Sequence, residues 1–354
     1  MIIKTIQMKN FLFLIFLLVN LFSNGQNLRK GTVIRISFQA PSIVGNPGEE
    51  VSNRHLTIYL PPNYMHSRSH YPVIYFLHGM GWTDSSTMLD IHFDKLLDIA
   101  IAHKEIPEVI LVLPDASTIY KGSWYTNSAL TGNWTDFIAK DVVTYIDQHY
   151  RTIPNRNSRG LSGISMGGHG SLKVAMLYPE VFGAVYAMTP AVLNWSDSTN
   201  TKLKDFKMIQ KAQNIGDLNM SGRALLLVDL GRSFSPNLTN PPFYANMPVT
   251  YTNEVENIDS SIIKKWNDRL PTLMLDHYFE SLKKLNGLKI DWGRNDLARH
   301  VPGTCLEFSK KLEKLGVKHF AEEYLGGHSD RLSGMDGRVY TDVLPFFKKY
   351  LQWD

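Results

Sequence analysis

The chain has 354 residues, 44% of them hydrophobic and 20% charged, which is enough apolar material for one large domain. Its 37 basic and 33 acidic side chains leave a formal net charge of +4, and this near-neutral balance argues against a nucleic-acid-binding protein. The sequence contains no internal repeat or low-complexity tract. We therefore expect a single globular domain.

The N-terminus has the pattern of an export signal. Lys4 and Lys9 precede an apolar run over residues 11–19, and small residues follow at cleavage positions. We expect a signal peptide over residues 1–25, a mature domain over residues 26–354, and a secreted or periplasmic protein without stable membrane insertion. The alternative is an uncleaved membrane anchor, for which the run is short, since the hydrocarbon layer is about 30 Å thick.

Apolar segments typical of strands alternate with amphipathic segments typical of helices. The run Val73–Leu77 predicts a buried strand, and the spacing of apolar residues over 136–150 predicts a helix. This alternation indicates an α/β fold with a mostly parallel central sheet and helices on both faces.

Aromatic residues are concentrated between the strand that ends at Pro114-Asp115 and the next helix. Trp124, Tyr125 and Trp134 lie in this stretch. Loops at the carboxyl edge of a parallel sheet face the ligand, so these residues are candidates for substrate binding at a pocket rim. The alternative is that they belong to the core. Substrate binding predicts that Trp124→Ala raises KM without disturbing the fold.

The segment Gly163-Ile164-Ser165-Met166-Gly167 matches the GxSxG pattern of a nucleophile elbow. It lies between a predicted strand over residues 159–162 and a predicted helix over residues 167–177. Glycines two residues on either side of the serine keep the strained turn free of steric conflict. The pattern predicts an exposed nucleophilic serine, Ser165, and the alternative is an ordinary Gly/Ser-rich turn.

The region 191–271 is longer than a minimal hydrolase requires. Its centre is rich in proline, asparagine and aromatic residues, which is typical of an ordered loop. It is either a cap over the active site or a surface excursion packed on the main domain.

An acid and a histidine follow the serine in the order expected of a Ser-acid-His triad. Asp296 lies in a loop after the predicted strand 288–293, whereas the rival Asp291 lies within that strand. His328 follows a predicted strand over residues 317–325 and two glycines. In this arrangement His328 takes the proton of Ser165 and Asp296 orients the imidazole ring. His300 is a weaker alternative base.

Two backbone amides are candidates for an oxyanion hole. Met80 lies in the glycine-rich loop after Val73–Leu77, and Met166 directly follows Ser165. His78 in the same loop and His169 in the elbow helix are interpreted as structural residues. No metal-binding motif or cofactor-binding motif is present, and a serine triad requires neither.

The motifs together resemble the Putative esterase family of α/β-hydrolases. This family includes S-formylglutathione hydrolases, feruloyl and other carbohydrate esterases, siderophore esterases and mycolyltransferases. The resemblance rests on residues 56–62, 71–79, 112–115, 136–147, 163–170 and 178–184. It covers most of the mature chain, and the elbow region is its most specific part.

The resemblance implies the same site residues. The family's nucleophile, acid and histidine fall on Ser165, Asp296 and His328, and its oxyanion amides fall on Met80 and Met166. One departure is that many relatives have an aromatic residue soon after the histidine, where this chain has Ser-Asp-Arg-Leu. Substrate assignment by resemblance is therefore unsafe.

These observations predict an exported serine carboxylic-ester hydrolase that acts through an acyl-enzyme. Its partner is expected to be a small-molecule or polysaccharide ester, with acylated plant polysaccharide as one candidate. The alternatives are an acyltransferase of the mycolyltransferase type, a thioesterase of the S-formylglutathione type and a non-catalytic carbohydrate-binding relative. The complete set of triad residues argues against the last of these.

Overall fold

The computed structural model describes residues 29–196, 199–218 and 222–354. The predicted signal peptide, residues 1–25, lies outside the described residues. No helix in the described ranges is long and apolar enough to cross a membrane.

A central sheet of eight strands organises the described part of the chain, in the spatial order β1-β2-β4-β3-β7-β8-β11-β12. Strand β2 is antiparallel to both neighbours, whereas all pairs from β4 to β12 are parallel. Two short hairpins, β5-β6 and β9-β10, lie outside this sheet. The strands are β1 (Thr32–Gln39), β2 (Asn53–Leu60), β3 (Val73–Leu77), β4 (Ile110–Pro114), β5 (Asn127–Ser128), β6 (Gly132–Asn133), β7 (Arg159–Ile164), β8 (Ala184–Met188), β9 (Val249–Thr252), β10 (Val255–Ile258), β11 (Gly287–Gly293) and β12 (Phe320–Tyr324).

Helices cover both faces of the sheet, which confirms the predicted α/β fold. Helix α3 consists of Trp134–Asp136, the π-helical segment Phe137–Val142 and Val143–His149. A second π-helical segment, Val339–Val343, directly precedes the last helix. The remaining α-helices are α1 (Asp84–Ile91), α2 (Phe93–Ala102), α4 (Met166–Leu177), α5 (Asp205–Lys211), α6 (Gly222–Phe234), α7 (Ser260–Asn267), α8 (Pro271–Lys283), α9 (His300–Lys314) and α10 (Leu344–Tyr350).

Alternate residues of the central strands enter two separate core layers. In β3, Val73, Tyr75 and Leu77 pack with α3, α4, α8 and α9, whereas Ile74 and Phe76 pack with α1, α2 and α10. Successive side chains of a strand point to opposite faces, so a strand buried on both sides must be apolar throughout. This explains why β3, β4 and β8 are short uninterrupted runs of mainly apolar residues.

The register brings the carboxyl ends of several strands to one edge of the sheet. Leu77 of β3 lies opposite Gly163 of β7, and Ile164 lies opposite Met188 of β8. The loops that follow β3, β7, β8, β11 and β12 therefore meet at this edge, where ligands bind in open α/β sheets.

The predicted insertion, residues 191–271, contains α5, α6, the β9-β10 hairpin and α7. Its apolar side chains join the core layer that includes α4, and the rings of Trp195 and Trp266 stack with centroids 5.5 Å apart. The described parts of the insertion are thus packed on the main domain. Its role as a cap stays a prediction.

Candidate active site

Ser165 lies in a strained turn between β7 and α4. Its backbone has φ 58° and ψ −115°, a left-handed conformation that costs a non-glycine residue energy and is typical of functional turns. The turn is held by hydrogen bonds from the Ser165 amide to Met188 O at 3.0 Å and from the Ala191 amide to Ser165 O at 3.1 Å. A Cβ at Gly167 would collide with the carbonyl of Leu77, so glycine is required there.

The loop after β3 lies directly beside the elbow. A Cβ built on Gly79 would be 3.6 Å from the Ser165 Cβ. The amides of Met80 and Met166 donate no hydrogen bond to any described residue. Met166 is the first residue of α4, where a helical N–H has no acceptor within the helix. Both amides are therefore available to an oxygen atom bound near Ser165.

Asp296 and His328 are in direct contact. His328 Nδ1 lies 2.6 Å from Asp296 Oδ2, although the two residues come from separate loops after β11 and β12. Asp296 Oδ1 also accepts a hydrogen bond from the Ala298 amide at 2.7 Å, which fixes the carboxylate. When Nδ1 donates to the carboxylate, Nε2 is left to accept a proton.

The histidine loop is tied to the strand end next to the elbow. Thr189 Oγ1 donates a hydrogen bond to His328 O at 3.3 Å, and Thr189 directly follows Met188, the residue that accepts the Ser165 amide. Ser165, Asp296 and His328 thus project from neighbouring loops at one edge of the sheet.

The rival acid, Asp291, is engaged elsewhere. Its carboxylate accepts two hydrogen bonds from Arg338 Nη1 at 2.8 and 2.7 Å, one from Tyr186 Oη at 2.9 Å and one from the Thr189 amide at 3.1 Å. These donors occupy both oxygens, so Asp291 stabilises the packing of β8, β11 and the C-terminal segment.

Two other histidines, His78 and His169, are buried beside the site, and a third, His300, is half-buried. His78 Nε2 accepts the Ala116 amide at 2.9 Å and Nδ1 is 2.8 Å from Gly79 O, so its ring shapes the turn. His169 packs edge-on against Trp124 and contacts backbone carbonyls. Burial, followed by the charge of His328, lowers the pKa of His300 to about 4. Burial also lowers the pKa of His78 and His169.

Residues 51–250 match the family model described as Putative esterase. The chain belongs to this esterase family. Among curated relatives, an esterase of Mycobacterium tuberculosis is 26% identical over 299 residues, which cover 82% of this chain and 54% of the relative. S-formylglutathione hydrolase of Paracoccus denitrificans is 27% identical over 151 residues, covering 38% of this chain and 50% of the relative. The chain spans about half the length of these curated relatives.

Solved structures of esterases share the fold of this family member. A ferulic acid esterase has a TM-score of 0.64 at 20% identity, and the match covers 91% of this chain and 99% of that protein. S-formylglutathione hydrolase of Agrobacterium tumefaciens has a TM-score of 0.60 at 16% identity, with coverage of 92% and 97%. The chain therefore has the α/β-hydrolase fold, as the sequence predicts.

The aromatic residues expected at the pocket rim lie in the core instead. Trp124, Tyr125 and Trp134 are 1%, 0% and 0% exposed. Their polar atoms are used internally, because Tyr125 Oη donates to His78 O at 3.1 Å and Trp134 Nε1 donates to Thr131 Oγ1 at 3.3 Å. The rim assignment is corrected to the core alternative, since side chains this buried stabilise the loop and present no surface to a substrate.

Sequence reasoning missed Asp229 in α6. Trp124 Nε1 donates to Asp229 Oδ2 at 2.9 Å, which links the insertion to the loop beside the candidate oxyanion amides. A Cβ on Gly122 would lie 2.7 Å from Asp229 Oδ2 and 2.6 Å from Met166 Sδ, so these groups enclose Gly122 tightly. The only sequence signal is a single acid within the apolar run 225–230.

Among the residues that the structure describes, no group of three or more His, Cys, Asp or Glu side chains is arranged to hold a metal ion. Cys305 is buried in α9, where its thiol points to Pro190 O at 3.6 Å.

Proposed function

We propose that the protein is a serine esterase in which Ser165 is the nucleophile, His328 the general base and Asp296 the residue that orients His328. The observation that carries this proposal is the 2.6 Å contact between His328 Nδ1 and Asp296 Oδ2 at the sheet edge where Ser165 occupies its strained turn. Membership of the esterase family supports it.

The proposed reaction has two balanced halves. Ser165 Oγ attacks the ester carbonyl while His328 Nε2 takes the hydroxyl proton, and the resulting oxyanion accepts hydrogen bonds from the Met80 and Met166 amides. His328 returns the proton to the departing alcohol, which leaves an acyl-serine. Water, deprotonated by His328, then attacks the acyl-serine, and the bond between the acyl carbon and Ser165 Oγ breaks. His328 returns the proton to Ser165 Oγ as the free acid leaves, which restores the starting enzyme.

We propose an ester of a carbohydrate as the substrate and the cell envelope or exterior as the location. The likeness to a ferulic acid esterase and the N-terminal export pattern support this proposal. A second candidate is a thioester of the S-formylglutathione type, favoured by the likeness to S-formylglutathione hydrolases.

The test is turnover by the mature chain, residues 26–354, of p-nitrophenyl esters of short and long acids, methyl ferulate and S-formylglutathione. Ser165→Ala is expected to lower kcat by about 10⁶-fold, since loss of the serine nucleophile removes the acyl-enzyme route. Unchanged turnover in that variant would refute the serine mechanism. The ratio of ester to thioester turnover ranks the two substrate classes.

Product analysis in the presence of an acceptor sugar distinguishes hydrolysis from transfer. A hydrolase gives free acid in proportion to the alcohol released. Formation of a new ester on the sugar, with little free acid, would assign the protein to the acyltransferase class instead.

A further inference from the structure

A cavity of about 430 Å³ lies beside the elbow helix α4, in the size range of small-ligand sites. It is lined by residues of the loop before α3, the second half of α4, the turn between α7 and α8, and α8 itself. The exposed residues Asp268 and Arg269 lie on its wall, so it opens to solvent. The proposed triad residues are not part of the lining.

Lys173 of α4 is the most unusual residue of this lining, because it is only 1% exposed. Its Nζ donates to Thr126 Oγ1 at 2.5 Å and lies 4.8 Å from the centre of the Phe234 ring. No carboxylate of a described residue lies within ion-pair distance of Nζ. An ammonium group has three donors, and a single hydroxyl acceptor leaves it incompletely solvated.

The second basic side chain of the cavity, Arg269, also lacks a carboxylate partner among the described residues. Its guanidinium forms no hydrogen bond or ion pair with any described residue. The nearby acids are neutralised by other lysines: Asp268 pairs with Lys264 at 2.9 Å. Asp136, which accepts hydrogen bonds at the cavity wall, likewise pairs with a lysine of its own helix. The cavity therefore presents a guanidinium and a buried amino group, neither of which has a carboxylate partner among the described residues.

We propose that this cavity binds a small oxyanion, a carboxylate or a phosphate, between Lys173 at its base and Arg269 at its mouth. Burial of an uncompensated charge is costly, whereas a charge-assisted hydrogen bond to an anion restores the lost solvation. Arg269 adds a planar donor group suited to either oxyanion.

Binding of the anion is coupled to protonation of the Lys173 amine. Burial, and then the charge of Arg269, lowers the pKa of Lys173 well below its ordinary value, which favours the neutral amine in the empty cavity. An anion beside Nζ acts in the opposite direction and favours the ammonium form. Anion binding at alkaline pH is therefore accompanied by uptake of about one proton from solvent.

The test is calorimetric titration of the mature chain with inorganic phosphate, acetate and D-glucuronate, each in two buffers of different ionisation enthalpy. The three titrants separate free phosphate, a simple acid and a sugar acid as sources of the oxyanion. Lys173→Met and Arg269→Gln are each expected to weaken binding at least about tenfold, and Lys173→Met also removes the proton uptake.

Lys207→Gln is the matched control, since it removes one positive charge from an exposed ion pair with Glu254 in the insertion. Its affinity is expected to equal that of the unmodified chain. Equal affinities in all three variants, or no saturable binding of any titrant in the millimolar range, would overturn the proposal. If Lys173→Met fails to fold, the exposed Arg269→Gln still decides the outcome.

Discussion

Asp291 and Asp296 are two carboxylates of one short segment, and the structure gives them opposite environments. Asp291 lies inside β11, and Arg338, Tyr186 and the Thr189 amide donate four hydrogen bonds to it. Asp296 lies in the following loop and contacts His328. Both carboxylates are nearly inaccessible to solvent, so burial alone does not distinguish them.

The two carboxylates differ in the side chain that each one contacts. Asp291 faces a guanidinium, which is permanently charged and holds the carboxylate in a fixed ion pair. Asp296 faces an imidazole, whose charge changes during proton transfer, and the His328 side chain is 27% exposed at the sheet edge. The direction of the Asp291 side chain is fixed by the pleat of β11. Asp296 lies beyond the end of that strand, where its side chain reaches the loop that follows β12. The same residue type therefore stabilises the fold at one position and is available for chemistry at the other.

Among substitutions of these carboxylates, the largest effect is expected from Asp296→Asn. The amide keeps the volume of the side chain but presents the wrong partner to His328 Nδ1, so we expect kcat to fall about 10⁴-fold. Chemical denaturation should show little loss of stability. A variant with near-normal kcat would show that Asp296 has no part in catalysis.

The next largest effect is expected from Asp291→Asn, this time on stability. Arg338 is then left buried without its counter-charge, which lowers the free energy of unfolding by about 3–5 kcal/mol. Urea denaturation measures this loss. The double variant Asp291→Leu with Arg338→Met is the control, because replacing both charges restores most of the stability. Equal destabilisation in the double variant would assign the loss to packing rather than to charge.

A smaller effect extends the comparison to Asp229, a buried carboxyl group whose single hydrogen-bond donor among the described residues is Trp124. Burial raises its pKa well above the ordinary value, against the opposing influence of Trp124 and Arg232. The folded protein thus keeps a proton that the unfolded chain releases above about pH 4. The free energy of unfolding must therefore fall as the pH rises from about 4 to the pKa of Asp229 in the folded protein. Above that pKa, Asp229 causes no further change.

Asp229→Asn removes this fall, because the amide accepts the Trp124 N–H and does not ionise. The stability of the variant relative to the unmodified protein should increase with pH, by about 1.4 kcal/mol for each unit between the two pKa values. Thermal unfolding at several pH values measures the difference. A difference that does not change with pH would contradict a raised pKa.

Strand and helix positions near the site follow closely from the sequence. The predicted strand 288–293 is observed as β11 over Gly287–Gly293, and the predicted helix 167–177 as α4 over Met166–Leu177. The strand predicted over 317–325 is shorter, Phe320–Tyr324, because the Val317 amide bonds to Leu312 O and ends the preceding helix through Gly316 at φ 70°. Apolar periodicity does not reveal such a helix end.

The aromatic residues show where sequence reasoning failed. Their composition is equally compatible with a binding rim and a core, and contacts with other segments of the chain decide between them. Trp124 contacts Asp229, which is 105 residues away in the chain, and this contact turns the indole inward. Whether Lys173 and Arg269 have a carboxylate partner depends in the same way on which distant helices approach them.

The sequence by itself determined the alternation of strands and helices, the elbow at Ser165 and the chain order of Ser165, Asp296 and His328, because local periodicity and turn chemistry are written in adjacent residues. Only the tertiary structure decided which buried charges have partners. A carboxylate or an ammonium group acquires its environment from segments far away in the chain, and the free energy of a buried charge depends on that environment rather than on its neighbours in sequence.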